Sequence, residues 1–286
     1  MLVELAVGDA YGAGFEYSEP DFVARHNTLG GYVQHPRHTG INPGDYTDDT
    51  QMTIAIAELL LSGEAWSAGN LAERFVQVFR RDRRDGYSTR FHALLRAGNT
   101  GAELLGKLTP GNDRSGAAMR AAPIGLLPRV DEVLDHARTQ ARVTHDSPGG
   151  VESARAAALA VHYCYHRLGP SSGAATWVEQ RLRAAGGQHA WAQPWQGPVG
   201  AQGVMSVHAA LSALTNARSL RSLLHACIDY TGDVDTVATI ALAAASTAAD
   251  ISHDLPLGLY ETLENGRYGR DYLADLDQRL LQRYPR

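Results

Sequence analysis

The chain has 286 residues, of which 44% are hydrophobic and 20% are charged. A chain of this length and composition can bury a large hydrophobic core, which excludes an intrinsically disordered protein and a long coiled coil. The formal net charge of −5, from 26 basic and 31 acidic side chains, argues against nucleic acid or an anionic membrane as the main partner.

The sequence contains no apolar run near the roughly 18 residues that a membrane-spanning helix needs. Its first residues include Glu4 where a signal peptide carries basic side chains, so we expect no secretion signal. The two cysteines, Cys164 and Cys227, lie in apolar helical stretches and are expected to be reduced core residues rather than a disulfide. We therefore expect a cytoplasmic protein, with a monomer as the default state.

Apolar residues recur at helical spacing along almost the whole chain, and the alternating pattern of β-strands is scarce. The segments 151–167 and 233–249 are rich in alanine and apolar nearly all round, which is typical of central helices packed on every side. No linker-like stretch and no internal repeat divides the chain. The sequence thus predicts a single all-α domain over residues 1–286. Helices are expected at 48–61, 68–81, 90–96, 130–142, 151–167, 175–184, 204–213, 219–229, 233–249 and 270–283.

Two clusters of acidic and hydroxyl side chains stand directly before predicted apolar helices. They are Thr47-Asp48-Asp49-Thr50 and Asp233-Val234-Asp235-Thr236. Capping of the helix and its dipole is the ordinary explanation, but a cap needs only one such side chain. The surplus oxygens are ligands that Mg²⁺ or Ca²⁺ prefers. If the clusters met, each unneutralised carboxylate pair about 4 Å apart would cost on the order of 4 kcal/mol, which a cation would remove.

Five motifs in order together resemble the ADP-ribosylglycohydrolase family. The opening Gly8-Asp9-Ala10-Tyr11-Gly12-Ala13-Gly14-Phe15-Glu16 is similar to its GDxxGxxxE element. The two acidic clusters match its TDDT and DxDT elements. Between them, Ser115-Gly116-Ala117-Ala118-Met119-Arg120 resembles a Gly/Ser-rich segment that ends in Met-Arg, and Thr144-His145 resembles a TH element. The motifs extend from residue 8 to residue 236 and so cover most of the chain.

The resemblance implies a compact multi-helix domain with a dinuclear metal cleft, in which two Mg²⁺ ions bind and Mn²⁺ is an expected substitute. Catalysis would fall to Glu16, Asp48 and Asp49, with Glu16 either a metal ligand or the carboxylate that handles protons; how acid and base roles divide stays open. Six residues would hold the metals: Thr47, Asp48, Asp49, Asp233, Asp235 and Thr236. Five would contact the substrate: Ser115, Gly116, Met119, Arg120 and His145.

Several of these assignments have a structural alternative. Glu16 can be a solvated carboxylate at a loop end, and His145 an ordinary structural histidine. Arg120 can pair with phosphate or brace a metal-bound carboxylate. We interpret Asp9 as a structural contact to a helix end rather than a ligand.

The segment 111–116 is a candidate pyrophosphate cradle, because its glycines let backbone N–H groups approach an anion at the helix start that is expected to follow. An ordinary turn is the alternative. Asp113 and Arg114 interrupt the family pattern here, and an acid is unfavourable in such a cradle unless it is directed away. We also expect the segment 86–91 to line the cleft.

Two further patterns are interpreted as structural. His162 and His166 have the i, i+4 spacing of a Zn²⁺ site, but no third ligand is evident nearby. The charged run 80–85 is expected to be a solvated helix end.

The predicted function is Mg²⁺-dependent hydrolysis of the N- or O-glycosidic bond between ADP-ribose and an acceptor. The partner would be an ADP-ribosylated protein or a small-molecule conjugate, with an arginine acceptor slightly favoured. Two alternatives stay open. One is a catalytically silent protein that binds ADP-ribose or neutralises a toxin, and the other is a structural relative without chemistry, as the lens crystallins of this family are.

Overall fold

The computed structural model describes residues 1–286, and its regular secondary structure is entirely helical. Short 3-10 turns occur at Ser115–Ala117, Ala122–Leu126 and Ser171–Gly173, and only isolated β-bridges join extended residues. The fourteen α-helices are α1 (Leu2–Ala13), α2 (Pro20–His26), α3 (Asp48–Ser62), α4 (Ala68–Arg81), α5 (Thr89–Ala97), α6 (Gly101–Lys107), α7 (Val130–Thr144), α8 (Pro148–Tyr165), α9 (Ala174–Ala184), α10 (Gly203–Asn216), α11 (Leu220–Asp229), α12 (Val234–Ala245), α13 (Leu257–Thr262) and α14 (Arg270–Arg283).

Helix α12 lies at the centre of the molecule, and every one of its residues is buried. It packs against α1, α8, α10 and α11. Its alanine-rich sequence explains this position, because small side chains let four neighbouring helices approach it closely. Helix α8, the other alanine-rich segment, is buried along most of its length. The prediction of two central helices is therefore confirmed.

All ten predicted helices are present, and those at 68–81 and 270–283 have the predicted bounds. The late helix ends at Ala245 instead of residue 249. Directly after it, the hydroxyls of Ser246 and Thr247 donate to the carbonyls of Ala243 and Ala244. Helix α8 also ends early, at Tyr165, since Arg167 adopts the left-handed region with φ of 54°.

Four helices were not predicted: α1, α2, α6 and α13. The last three have only six or seven residues, which is too short for helical periodicity to be recognised. Helix α1 has two glycines and an aspartate in its interior, residues that lower intrinsic helix propensity. Packing against α12 stabilises α1 in spite of this low helix propensity.

A single hydrophobic cluster extends from α1 to α14, so the helices share one core. Cys164 and Cys227 are buried in it as free thiols, as predicted. No helix is long and apolar enough to cross a membrane. In the charged run 80–85, Arg80, Arg81, Arg83 and Asp85 are exposed, as expected for a solvated helix end, whereas Asp82 and Arg84 are half-buried. The Arg84 guanidinium lies 4.0 Å from the centre of the Tyr46 ring and 2.6 Å from the Glu264 carboxylate.

Candidate functional site

The two acidic clusters meet at one cavity of about 780 Å³. Asp48 and Asp49 form the first turn of α3, while Asp233 and Asp235 stand at the start of α12. Glu16, which follows α1, joins them on the cavity wall. We call these five carboxylates the acid floor. Their convergence depends on the packing of α1, α3 and α12, which sequence spacing alone does not reveal.

The acid floor contains a group of oxygens that can hold a cation. Glu16, Asp233 and Asp235 each offer a carboxylate oxygen, and these oxygens all lie within 4.8 Å of one another. Two further atoms, Oδ1 of Asp49 and Oδ1 of Asp235, are buried without any hydrogen-bond partner. Buried acceptors of this kind are rare in folded proteins unless a ligand satisfies them. Hard carboxylate oxygens in this arrangement suit a divalent cation such as Mg²⁺.

Burial also perturbs the titration of the acid floor. Burial, followed by repulsion from the nearby carboxylates of Asp233 and Asp9, raises the pKa of Glu16 to about 7. Burial, followed by repulsion from neighbouring carboxylates, holds the pKa values of Asp48, Asp49 and Asp235 well above their ordinary range. Without a counter-charge these groups resist ionisation, so a cation would bind in competition with protons.

Asp9 lies behind the acid floor and fixes the start of α3. Its carboxylate accepts four hydrogen bonds of 2.6–3.0 Å, from the backbone N–H and the hydroxyl of both Thr47 and Thr50. These bonds satisfy free N–H groups of the helix from a different helix, α1. The interpretation of Asp9 as a structural contact to a helix end is confirmed.

The glycines of the opening motif let α1 lie directly on α12. A Cβ atom at Gly12 would lie 2.3 Å from Cα of Asp235, and one at Gly8 would lie 2.7 Å from the carbonyl oxygen of Ala238. Both distances are too short for any side chain. The sequence analysis missed this packing role, although the i, i+4 spacing of two glycines in one helix was its visible signal.

The two threonines of the metal-ligand prediction have different surroundings. Thr236 lines the cavity beside the acid floor. Thr47 is buried and does not line the cavity, and its hydroxyl donates to Asp9 Oδ1 at 2.7 Å. Only the lone pairs of Thr47 are then free to bind a metal.

The segment 111–116 forms a second wall of the cavity, to which Gly111, Asn112, Arg114, Ser115 and Gly116 contribute. The helix that was expected to begin here is only the 3-10 turn Ser115–Ala117, so a long helix dipole does not point at the cavity. Asp113 faces outwards: it is exposed, absent from the lining, and accepts a hydrogen bond of 3.0 Å from Gln202. The unfavourable acid is thus directed away from the wall.

Arg120, Thr144 and His145 form a buried chain of hydrogen bonds beside this wall. Arg120 donates to Gln140 Oε1 at 2.7 Å and to the Thr144 hydroxyl at 2.7 Å, so neither proposed partner, phosphate or carboxylate, is needed to satisfy these donors. Burial lowers the pKa of Arg120 to about 9.

The Thr144 hydroxyl lies 2.7 Å from Nδ1 of His145. That hydroxyl accepts from Arg120 and still has its own proton to donate to Nδ1; in that arrangement the proton of the neutral ring is on Nε2. Burial and then the charge of Arg120 lower the pKa of His145 to about 3, which keeps the ring neutral. Arg120 and His145 line the cavity together with Met119.

Comparison with known proteins agrees with this arrangement of motifs. The sequence profile of the family "ADP-ribosylglycohydrolase" matches residues 1–286. The chain belongs to the ADP-ribosylglycohydrolase family.

Relatives in this family align over different lengths. The chain is 27% identical over 271 residues to the ADP-ribosyl-[dinitrogen reductase] glycohydrolase of Rhodospirillum rubrum, which covers 91% of this chain and 87% of the relative. It is 34% identical over 184 residues to the ADP-ribosylhydrolase ARH3 of Mus musculus, covering 56% of this chain and 47% of the relative. The chain thus spans about half the length of that relative. A solved structure titled "ADP-ribosylglycohydrolase-related protein complex" has the same fold, with a TM-score of 0.75 at 23% identity over 98% of this chain and 95% of that one.

Further residues of this family member line the cavity, some expected from the sequence and some not. Gly86, Ser88, Thr89, Arg90 and Phe91 line the cavity, which confirms the expectation for 86–91. Residues outside the motifs, such as Tyr17, Leu94 and Leu108, also line it, and sequence reasoning missed them because their types are common in any core or surface. Phe91, Leu94 and Leu108 give this member an apolar wall beside its polar floor.

The histidine pair of α8 is structural in this family member. The His162 ring binds the Gly125 carbonyl at 3.2 Å, and the His166 ring binds the Leu127 carbonyl at 3.1 Å. Neither histidine belongs to a group of three ligand-type side chains. The structural interpretation of the pair is therefore confirmed.

Proposed function

We propose that this protein is a Mg²⁺-dependent hydrolase that cleaves the N- or O-glycosidic bond between ADP-ribose and an acceptor. One observation carries the proposal: the acid floor presents buried, unpartnered carboxylate oxygens to a cavity of about 780 Å³. Family membership adds support, since the relatives' names describe glycohydrolases of ADP-ribosyl groups.

The residues present fit a divalent metal, because hard oxygens surround atoms that lack other partners. When bound, two Mg²⁺ ions, or Mn²⁺ in their place, would neutralise the carboxylates and act as Lewis acids toward the substrate's oxygens. The proposed ligands are Thr47, Asp48, Asp49, Asp233, Asp235 and Thr236, with Glu16 beside them.

Glu16 is the proposed carrier of the proton. A carboxyl whose pKa is about 7 can both hold and release a proton near neutral pH, as a general acid or base must. Cleavage of a glycosidic bond passes through a positively charged, oxocarbenium-like sugar. Asp48 and Asp49, which face the same cavity, would stabilise that charge when they are ionised.

The wall formed by residues 111–116 would bind the ADP part of the substrate. Ser115 and Gly116 offer the pyrophosphate a small, close-fitting surface, and the neutral His145 ring has its Nε2–H free to donate. Arg120 and Met119 complete this wall. The apolar surface of Phe91, Leu94 and Leu108 suits the adenine ring, because aromatic bases gain from burial against apolar side chains.

The acceptor is proposed to be arginine, on an ADP-ribosylated protein or a small conjugate. Five ionised carboxylates exceed the charge of two Mg²⁺ ions by one, and this excess attracts a cationic guanidinium more strongly than a neutral group. Two buried free thiols fit a reducing compartment, and the proposed location is the cytoplasm.

The test measures ADP-ribose release from an arginine-ADP-ribosylated peptide and a serine-ADP-ribosylated peptide, each with Mg²⁺ and with EDTA. The proposal expects release from the arginine peptide with Mg²⁺ and none with EDTA. Release that persists in EDTA would contradict the metal role. Binding of ADP-ribose without release from either peptide would favour the catalytically silent protein instead.

A further inference from the structure

The turn that carries Glu16 has an unusual backbone. It follows α1 directly, and its next residue, Tyr17, has a φ of 47°, in the left-handed region that non-glycine residues rarely adopt. Such conformations persist only where the surrounding structure holds them, and they are frequent at functional sites. No side chain of the protein hydrogen-bonds to the Glu16 carboxylate, so its position depends on the backbone that carries it.

The backbone N–H of Ser18 closes this turn by donating to the carbonyl of Phe15 at 2.9 Å, and three contacts from elsewhere in the chain hold it. The backbone N–H of Tyr17 donates to the carbonyl of Gly232 at 2.8 Å, next to the acid floor. The Arg37 guanidinium donates to the Tyr17 carbonyl. The ring of His35 contacts the Glu16 carbonyl oxygen through Nε2 at 2.7 Å, and the Ser18 hydroxyl lies 3.3 Å from the same nitrogen. Only the His35 contact reaches Glu16 itself.

The protonation of the His35 ring follows from its partners. Its Nδ1 lies 3.0 Å from the backbone nitrogen of Arg37 and 2.8 Å from that of His38. Both of those groups can only donate, so Nδ1 is an acceptor without a proton. In the neutral ring the proton is therefore on Nε2, which donates to the Glu16 carbonyl. The ring is only 2% exposed, and water does not compete for these bonds.

We propose that His35 is a positioning residue for Glu16: its Nδ1 anchors the ring to the 37–38 backbone, and its Nε2–H holds the Glu16 carbonyl. The kinetic part of this inference rests on the proposed function, whereas the positional part does not. A misplacement of about 1 Å at a reacting group costs as much as 100-fold in rate. Loss of the Nε2–H donor therefore reduces turnover although His35 touches no substrate.

Two substitutions test the roles of Nδ1 and Nε2 of His35 separately. His35→Gln retains an N–H donor at the distance of Nε2 but lacks the acceptor at Nδ1. His35→Asn retains an acceptor near Nδ1 but does not reach the Glu16 carbonyl. We expect His35→Asn to lower kcat about 10-fold to 100-fold with little change in KM, and His35→Gln to stay close to wild type. Thermal unfolding of both variants shows whether each is folded.

A second readout does not need activity. The Glu16 oxygen lies within 4.8 Å of those of Asp233 and Asp235, so its displacement should weaken Mn²⁺ binding, measured by electron paramagnetic resonance. We expect the Kd for Mn²⁺ to rise about 10-fold in His35→Asn and to stay unchanged in His35→Gln.

Equal losses in the two variants would overturn the proposal, because His35 would then only support its own loop. Wild-type kcat and wild-type Mn²⁺ affinity in His35→Asn would also overturn it. If the wild type hydrolyses no ADP-ribosyl substrate but the two variants still differ in Mn²⁺ affinity, the proposed function fails and the positioning role stands.

Discussion

The acid floor and the pair of His162, in α8, and His166, directly after it, are both groups of ligand-type side chains that are buried or half-buried, but their hydrogen bonding differs. Each ring of the pair binds a backbone carbonyl, of Gly125 for His162 and of Leu127 for His166. In the acid floor, Oδ1 of Asp49 and Oδ1 of Asp235 have no partner. The difference teaches that burial of polar groups does not mark a ligand site; burial without internal partners does.

Burial also shifts the pKa values of His162 and Glu16 in opposite directions. Burial, and then the neighbouring His166, lowers the pKa of His162 to about 4, so His162 stays neutral in the folded protein at neutral pH. Burial raises the pKa of Glu16 to about 7. Neutral His162 therefore leaves no buried charge to compensate, whereas the acid floor becomes fully ionised only at a cost that an external cation can remove.

The largest effect is expected from Asp235→Asn, which removes one charge and one ligand oxygen from the acid floor. We expect kcat for ADP-ribose release to fall more than about 100-fold, beyond the loss typical of residues that only orient ligands. The metal-free variant should unfold at a higher temperature than the wild type, because one source of repulsion is gone.

His166→Gln is the matched control, since glutamine can still donate to the Leu127 carbonyl. It should leave both kcat and Mn²⁺ affinity unchanged. A comparable loss of activity in His166→Gln would erase the distinction between the two regions.

The next effect concerns the packing that brings the acid floor together. In Gly12→Ala the new Cβ would lie 2.3 Å from Cα of Asp235, so α1 must move away from α12. Such overpacking typically costs about 1–3 kcal/mol in the free energy of unfolding. Urea denaturation measures this cost, and kcat should fall with it because Asp235 is displaced.

Gly106→Ala in α6 is the control for that substitution, because no atom lies within 4 Å of its new Cβ. Alanine is the better helix former, and this variant should gain roughly 0.5–1 kcal/mol. If Gly12→Ala were equally stabilising, the close contact of α1 with α12 would not control the acid floor.

A pH series of the metal-free protein distinguishes the two regions, because the stability contributions of Glu16 and His162 change with pH in opposite directions. The folded pKa of Glu16, about 7, exceeds its unfolded value of about 4.3. Between these values the folded state binds more protons than the unfolded state. The contribution of Glu16 to the free energy of unfolding therefore falls as pH rises. For His162 the folded pKa of about 4 lies below the unfolded value of about 6.5. The contribution of His162 to the free energy of unfolding is therefore lost as pH falls from its unfolded pKa to its folded pKa.

Mg²⁺ should raise the unfolding temperature more at pH 8 than at pH 5.5, because protons compete with the metal for the acid floor. Differential scanning calorimetry at both pH values, with and without Mg²⁺, measures this difference. The same shift at both values would show that the metal does not bind ionised carboxylates of the acid floor. His162→Asn, placed in the other region, should leave the Mg²⁺ effect intact.

Much of the fold was predictable from the sequence because long helices have a strong period. The segments 68–81 and 270–283 show this, since both bounds of each helix were correct. Helix α1 was missed because Gly8, Asp9 and Gly12 lower helix propensity, while their contacts with other helices require them. Local rules fail where tertiary packing determines the residue.

The candidate site was predictable in its motifs and not in its remaining walls. The clusters at 47–50 and 233–236 have an excess of oxygens that capping does not explain, which is a signal within the sequence. Tyr17 and Leu108 have no such signal, since their role depends on which surfaces the fold brings to the cavity. His35 was missed for the same reason: it acts on the backbone of Glu16, 19 residues away.

The smallest effect is expected from Asp113→Asn, which tests a departure from the family pattern. The Asp113 carboxylate accepts from Gln202 Nε2 and is exposed outside the cavity, so solvent and salt screen its charge from any bound pyrophosphate. We expect KM to change less than about 5-fold, because exposed charges contribute at most about 1 kcal/mol. The measurement is KM for the ADP-ribosylated peptide at low and high salt. A decrease in KM of more than about 10-fold at low salt would mean that Asp113 faces the pyrophosphate after all, and that the wall at 111–116 rearranges when substrate binds.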